Sequence, residues 1–173
     1  MRIAGIRKTS LFDGYGVNYV VFCQGCTHQC KDCQNPSTWD SDGGYEVTIE
    51  ELQQDILDTP LVSGVTFSGG DPVEQLWKVR ELAEWCKGQG LQTTLYTGYI
   101  LANHGAFVSF NRQFYKSGIV FPVFTARVFD ITTECLQCFD YIIDGPYDCT
   151  KKSLDIPFRG SSNQRILKKG VDY

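Results

Sequence analysis

No stretch of this 173-residue chain approaches the roughly 20 consecutive apolar residues that a membrane-spanning helix needs, so no association with a membrane is expected. The opening segment, Met1 to Ser10, lacks the apolar core of an export signal. An excess of positive charge is missing as well: 16 Lys and Arg stand against 20 Asp and Glu, a formal net charge of −4. The deficit lies in residues 1–150, which hold 10 basic and 18 acidic side chains. Such a body is unsuited to tracking nucleic-acid phosphates, and no direct nucleic-acid binding is expected. Residues 151–173 reverse the balance with 6 basic and 2 acidic side chains. That tail is either a solvated end or a surface for an acidic partner. Repeats and low-complexity tracts are absent, and histidine is confined to His28 and His104.

Packing material is plentiful. A hydrophobic content of 42%, with 11 Phe and 9 Tyr, suits one compact domain over residues 1–173 with its own core. Eight Cys without an export signal read as reduced thiols or metal ligands rather than a disulfide framework. The expected compartment is cytoplasmic.

Several segments carry clear secondary-structure signals. Val17 to Phe22 is a β-branched and aromatic run that reads as a buried strand. It leads through Gln24-Gly25 into a cysteine-rich loop. Thr48 followed by Glu51 is a capping-box pair and opens a helix running to about Asp58, which Pro60 ends. Val62 to Phe67 reads as a second strand running into Ser68-Gly69-Gly70-Asp71-Pro72. From Val73, the apolar positions Leu76, Trp77, Leu82, Ala83 and Cys86 recur at helical spacing to about Lys87. Gly88 and Gly90 close that helix, and Leu91 to Tyr96 reads as a third strand. Ile119 to Phe124 is strand-like but broken by Pro122, and Phe139 to Ile143 reads as a further strand before Asp144-Gly145-Pro146. Strands alternating with helices imply an α/β fold with a mainly parallel sheet and outer helices. The count falls short of eight units, so the expected form is a partial, open β/α barrel. Loops following the strands should gather on one rim.

The loop Cys26-Thr27-His28-Gln29-Cys30-Lys31-Asp32-Cys33 places three thiols at C-x3-C-x2-C spacing with no fourth ligand downstream. Three thiolates can hold three irons of a cubane cluster and leave the fourth iron open to a small molecule. Two other readings stand beside this one. The same cysteines, with Cys23, would share one face of a helix as packing residues. Alternatively, the C-x2-C pairs Cys23/Cys26, Cys30/Cys33 and Cys135/Cys138 could build a closed zinc site. Cys135 and Cys138 could also form a zinc knuckle with Cys149 or Cys23, or be reduced core thiols. The glycines of Ser68-Gly69-Gly70-Asp71-Pro72 allow close backbone approach to a ligand, although Gly-Gly alone is often just a tight turn.

Taken in order, these stretches carry a family resemblance. The chain resembles the radical S-adenosylmethionine (SAM) enzymes, and among them the activating proteins of anaerobic (class III) ribonucleotide reductases. The superfamily likeness lies in the cysteine loop and in Phe67 to Pro72. The activase likeness lies in Asn35-Pro36-Ser37-Thr38-Trp39 and Arg159-Gly160-Ser161-Ser162-Asn163-Gln164-Arg165, with Tyr96 to Tyr99 and Asp144 to Tyr147 between them.

The resemblance implies one 4Fe–4S cluster on Cys26, Cys30 and Cys33, with SAM chelating the open iron. An electron from an external donor, such as a flavodoxin or ferredoxin, would cleave SAM to methionine and a 5′-deoxyadenosyl radical. That radical would take hydrogen from a glycine Cα on the large subunit of the reductase. By the same likeness, Gly69, Gly70 and Asp71 line the methionine end of SAM, and the backbone around Asp32, Cys33 and Gln34 contacts the adenosine. The family commonly has glycine where Asp32 stands and an aromatic residue where Gln34 stands. In this scheme the cofactors carry the radical and the protein supplies positioning and exclusion of water, so no catalytic side chain and no general base is called for. His28 is expected to be either a supporting or a solvent-facing residue. The run Arg159 to Arg165 is either a structural turn into a short terminal strand or a loop at the rim that helps bind the reductase's glycine segment.

Overall fold

A computed structural model describes residues 1–101, 106–110, 126–130 and 133–173. Seven strands form one sheet in the order β10-β9-β5-β4-β2-β1-β3. Its centre is β2 (Asn18–Cys23), β4 (Gly64–Gly69), β5 (Gln92–Tyr96) and β9 (Tyr141–Asp144), paired in parallel throughout. Antiparallel strands flank this centre. β1 (Arg2–Ser10) joins β2, β3 (Tyr45–Glu46) joins β1, and β10 (Arg165–Lys168) joins β9. A separate antiparallel sheet contains β6 (Ile100–Leu101), β7 (Ala106–Phe110) and β8 (Ala126–Asp130). The fold is therefore mixed α/β with a parallel heart, as the alternating pattern leads one to expect. The strand read at Ile119 to Phe124 lies outside the described residues.

The central strands form where apolar residues run almost without interruption, because both faces of a parallel sheet are covered. Tyr19, Val20, Val21 and Cys23 of β2, Val65 and Phe67 of β4, and Leu95 of β5 are all sealed from water. Helix α1 (Ile49–Leu57) starts at the capping box. The Glu51 amide donates to Thr48 Oγ1 at 3.1 Å, and the Thr48 amide donates to Glu51 Oε2 at 2.8 Å. It buries Ile49, Leu52 and Ile56, three residues at helical spacing. Helix α2 (Leu76–Gly88) buries Leu76, Val79, Leu82, Ala83 and Cys86 and packs on β4 and β5. A short helix, α3 (Thr133–Leu136), precedes β9.

Two details depart from the sequence reading. Residues Pro72–Gln75 form a 3₁₀ turn, so α2 starts at Leu76 rather than at Val73. Asp71 causes this by accepting a hydrogen bond from the Val73 amide, which tightens the first turn. Trp77 faces solvent at 69% exposure, with the Arg80 guanidinium 6.0 Å from its ring centroid, so it lies outside the core stripe.

Register sets up the site. Cys23 pairs with Gly69, Phe67 with Leu95, and Tyr96 with Ile143. The four parallel strands therefore end level, and the loops that follow them emerge along one edge of the sheet. Removing the cap of α1 tests how that scaffold is held. Thr48→Ala should lower unfolding free energy by about 1 kcal/mol in urea titration, with the m-value unchanged.

Candidate functional site

The cysteine loop is closed at its neck by backbone hydrogen bonds. The Gly25 amide donates to Thr38 O at 2.8 Å and the Cys26 amide to Trp39 O at 3.1 Å. Gln24, which is buried, ties the far side through Nε2 to Ser37 O (3.2 Å) and Asp40 O (2.6 Å). Inside this ring the chain twists through left-handed conformations at Gln29 (φ 47°) and Asp32 (φ 56°). Aspartate is among the few non-glycine residues that adopt this region readily.

The next loop holds the ring against the sheet. The Gly70 amide donates to Cys23 O at 2.7 Å and the Asp71 amide to Gly25 O at 2.8 Å. A Cβ on Gly70 would run into the carbonyl oxygen of Gly25, and one on Gly69 (φ +97°) would sit 2.6 Å from the Cys23 nitrogen. Both glycines are therefore required by the approach of two backbones, and both also border the cavity described below.

Asp71 joins three loops. Its side chain is 1% exposed and accepts from the Val73 amide (3.0 Å), from Thr97 Oγ1 (2.9 and 3.0 Å to its two oxygens) and from the Gly98 amide (2.8 Å). Nε2 of His28 lies 2.9 Å from Asp71 Oδ2, close but not aligned as a hydrogen bond. The His28 ring lies against Gly98 and meets Tyr99 edge-on at 4.4 Å. Its side chain is 7% exposed, so it supports the loop from inside.

The Asn35 amide donates to Cys33 Sγ at 3.4 Å, and the nearby backbone of His28 and Gln29 at Cys26 and of Tyr147 at Cys30 favours the anionic sulfur. Burial, reinforced by Asp71, pushes the Cys26 thiol up to about 12 against these donors. Burial also raises Cys30. Amides aimed at sulfur suit anionic sulfur bound to iron, where such hydrogen bonds tune the centre. All three cysteines are half-buried and free, and they line one cavity of about 690 Å³.

Gln34, Gly69, Gly70 and Asp71 border the same cavity. Asp32 does not, and it is exposed; only its backbone shapes the loop. The remaining cysteines lie elsewhere. Cys23, Cys135 and Cys138 are buried in the hydrophobic core, apart from the cavity that Cys26, Cys30 and Cys33 border. Arg80 Nη1 donates to Cys135 Sγ at 3.2 Å, and Cys138 Sγ to Cys135 O at 3.3 Å. Among the described residues, no three His, Cys, Asp or Glu side chains converge as a single-ion site requires. Sequence reasoning overlooked Trp39, which borders the cavity with its Nε1 buried and unpartnered, and the Tyr147 amide. Their positions inside the runs Asn35–Trp39 and Asp144–Tyr147 were the available signal.

The run Arg159 to Arg165 is mostly a clasp around the loop after β9. Arg165 pairs with the fully buried Asp144 through Nε (2.8 Å) and Nη2, and also donates to Leu101 O at 2.9 Å. Gln164 Oε1 accepts from the amides of Gly160 and Ser161, and Gln164 Nε2 donates to Gly145 O at 3.0 Å. Asn163 donates to Pro146 O at 2.8 Å, and Ser161 Oγ accepts from the Asp148 amide at 3.1 Å.

A family profile described as a 4Fe-4S single cluster domain matches residues 12–167. The chain belongs to that family. Membership of the 4Fe-4S single cluster domain family bears out the 4Fe–4S cluster of the cofactor reading. Among curated proteins, the chain is similar to the pyruvate formate-lyase-activating enzyme of Clostridium pasteurianum, 41% identical over 109 residues, covering 60% of this chain and 46% of that enzyme. It is also similar to the pyruvate formate-lyase 1-activating enzyme of Escherichia coli K12, 37% identical over 101 residues, covering 56% and 41%. The corresponding enzyme of Staphylococcus epidermidis is 36% identical over 115 residues, covering 63% and 45%. The aligned part spans under half of each relative.

Two substitutions probe this geometry. Gly70→Ala should displace Gly25 and lower iron incorporation on anaerobic reconstitution several-fold, while far-ultraviolet circular dichroism stays unchanged. Arg165→Met should cost about 2–4 kcal/mol in chemical denaturation, because it strands the buried Asp144. The figure falls at or below that for a fully enclosed pair because Arg165 is half-exposed.

Proposed function

We propose that Cys26, Cys30 and Cys33 hold the 4Fe–4S cluster at three corners, and that the chain activates a glycyl-radical enzyme, the anaerobic ribonucleotide reductase. The observation that carries this reading is that Cys26, Cys30 and Cys33 all border one cavity where the parallel strands end. When bound, the cluster and SAM supply one-electron cleavage of a sulfonium carbon–sulfur bond and a radical able to take hydrogen from glycine. The chain's own residues do the positioning. The Gly69–Gly70 backbone and Asp71 form the wall for the methionine end, with Asp71 acting by fixing the Thr97-Gly98 loop. Gln34, beside Cys33, and the backbone around Asp32 face the adenosine. The walls from β4, β5 and β9 limit the access of water to the reacting atoms.

On this reading the parallel strands are the open part of a β/α barrel of radical SAM type, and residues 1–173 act as one such domain. The electron comes from a flavodoxin or ferredoxin, and the setting is the cytosol. The runs Asn35–Trp39 and Arg159–Arg165 support the reductase as target. The names of the curated relatives favour a second reading, in which the partner is another glycyl-radical enzyme such as pyruvate formate-lyase.

Anaerobic reconstitution with iron and sulfide should give a brown protein with about four irons per chain. Dithionite and SAM should then yield 5′-deoxyadenosine. Cys26→Ser, Cys30→Ser and Cys33→Ser should each abolish that product, whereas Cys23→Ser should retain it. Incubation with each candidate enzyme, followed by electron paramagnetic resonance, decides the partner: a glycyl doublet on the reductase supports the first reading, and one on pyruvate formate-lyase alone replaces it with the second. A colourless protein binding stoichiometric zinc would overturn both.

A further inference from the structure

A second group of thiols lies where α2 meets α3, apart from the cavity, whose lining includes none of them. Cys135 belongs to α3, and Cys138 follows two residues after the last residue of that helix. The Phe139 amide donates to Leu136 O at 3.0 Å, so the chain stays tightly turned through Cys138. The Cys138 thiol reaches back to Cys135 O at 3.3 Å. Residues three apart on such a turn hold their Cβ atoms about 5–6 Å apart, and a disulfide needs about 3.5–4.5 Å. A small adjustment of the turn therefore brings the two sulfurs to bonding distance. Cys86, on the buried face of α2, sits near Cys138.

The two sulfurs of the pair have unlike surroundings. Cys135 is 2% exposed, yet a surface guanidinium stands directly on it. Arg80 donates from Nη1 to Cys135 Sγ at 3.2 Å and from Nε to Glu84 Oε1 at 2.6 Å, and its side chain remains 30% exposed. A cation at this position faces the negative charge that sulfur carries when it attacks a disulfide. Cys138 lacks such a contact: burial, with Glu84 nearby, pushes its thiol up to about 12. Cys135 is thus placed to attack, and Cys138 to remain protonated until a mixed disulfide forms beside it. In the reduced state both pack as small apolar groups. Packing accounts for the burial of the pair and not for a guanidinium aimed at one member.

We propose that Cys135 and Cys138 form a thiol–disulfide exchange site, modified by low-molecular-weight disulfides, with Cys135 as the attacking sulfur and Arg80 as its positioning residue. The site is independent of the function proposed above. The Cys135 thiol releases its proton, and its sulfur attacks one sulfur of a disulfide RSSR. A mixed disulfide Cys135–S–S–R forms, and RS⁻ leaves and takes up a proton. The Cys138 thiol then loses its proton and attacks the Cys135 sulfur, which forms the Cys135–Cys138 bond and expels the second RS⁻. The two protein thiols lose two electrons, and one RSSR is reduced to two RSH.

The test treats the reconstituted full chain under argon with 2-hydroxyethyl disulfide, alkylates the remaining thiols and maps the peptides by mass spectrometry. The expected product lacks two hydrogens, carries a bond that fragmentation assigns to Cys135 and Cys138, and is reversed by dithiothreitol. Cys138→Ser should stop at the mixed disulfide on Cys135, and Cys135→Ser should leave Cys138 alkylated. Arg80→Met should slow bond formation about tenfold, and Arg80→Lys less, with the melting temperature held in both. Wild-type protein in which Cys135 and Cys138 are both alkylated after treatment overturns the proposal. So does a bond from Cys138 to Cys86, or one that forms only in samples shown by circular dichroism to be unfolded. An unchanged rate in Arg80→Met overturns the part given to Arg80.

Discussion

The site depends on one carboxylate shut away from water. Asp71 sits where three strand-ending loops meet, and removing a charge from solvent is expensive unless donors replace the water. Val73, Thr97 and Gly98 supply those donors, and charge-assisted bonds of this kind are stronger than neutral ones. Each loop is thereby fixed relative to the others. The cysteine ring leans on the same point through His28. A shift in any one loop would expose or strand the charge, so the arrangement resists piecemeal loosening.

The sulfur environment follows from that rigidity. The cysteine loop turns left-handed at Gln29 and Asp32, and the loop after β9 is held at Gly145 by Gln164. Burial, with Asp71 nearby, favours the protonated thiol at Cys26, and burial acts the same way at Cys30. On the proposed reading, a bound cluster would displace those protons and leave negative sulfur beside the backbone amides. Arg80 and Cys138 meet Cys135 from within a packed interface, where a free thiol behaves as a small apolar group.

Much of this was legible from residue patterns. The buried strands announce themselves through β-branched and aromatic runs, and α1 through the Thr48–Glu51 pair. The cysteine spacing and the glycine pair point to the rim on which they meet. Other parts were hidden for physical reasons. β1 alternates poorly because most of its residues are exposed or half-buried, so no period-2 pattern marks it. The role of Asp71 depends on partners at positions 97 and 98, which no local signal connects to it. The division of Arg159 to Arg165 into clasp and cavity residues depends on what each side chain touches, and residue type alone does not distinguish Arg159 from Arg165. Trp77 misled because an amphipathic stripe assigns a large aromatic to the core, whereas here it is stacked by Arg80 in solvent.

The clasp has a consequence for biosynthesis. The cavity is walled by residues near position 10 and by residues near position 160, and the Asp144–Arg165 pair fastens the later wall in place. A ribosome-bound chain that has exposed only its cysteines presents a bowl with one side missing. Iron and sulfide delivered then would find thiols open to oxygen and to other metals. On the proposed reading, full enclosure of the cluster site is reached only after translation has passed Arg165.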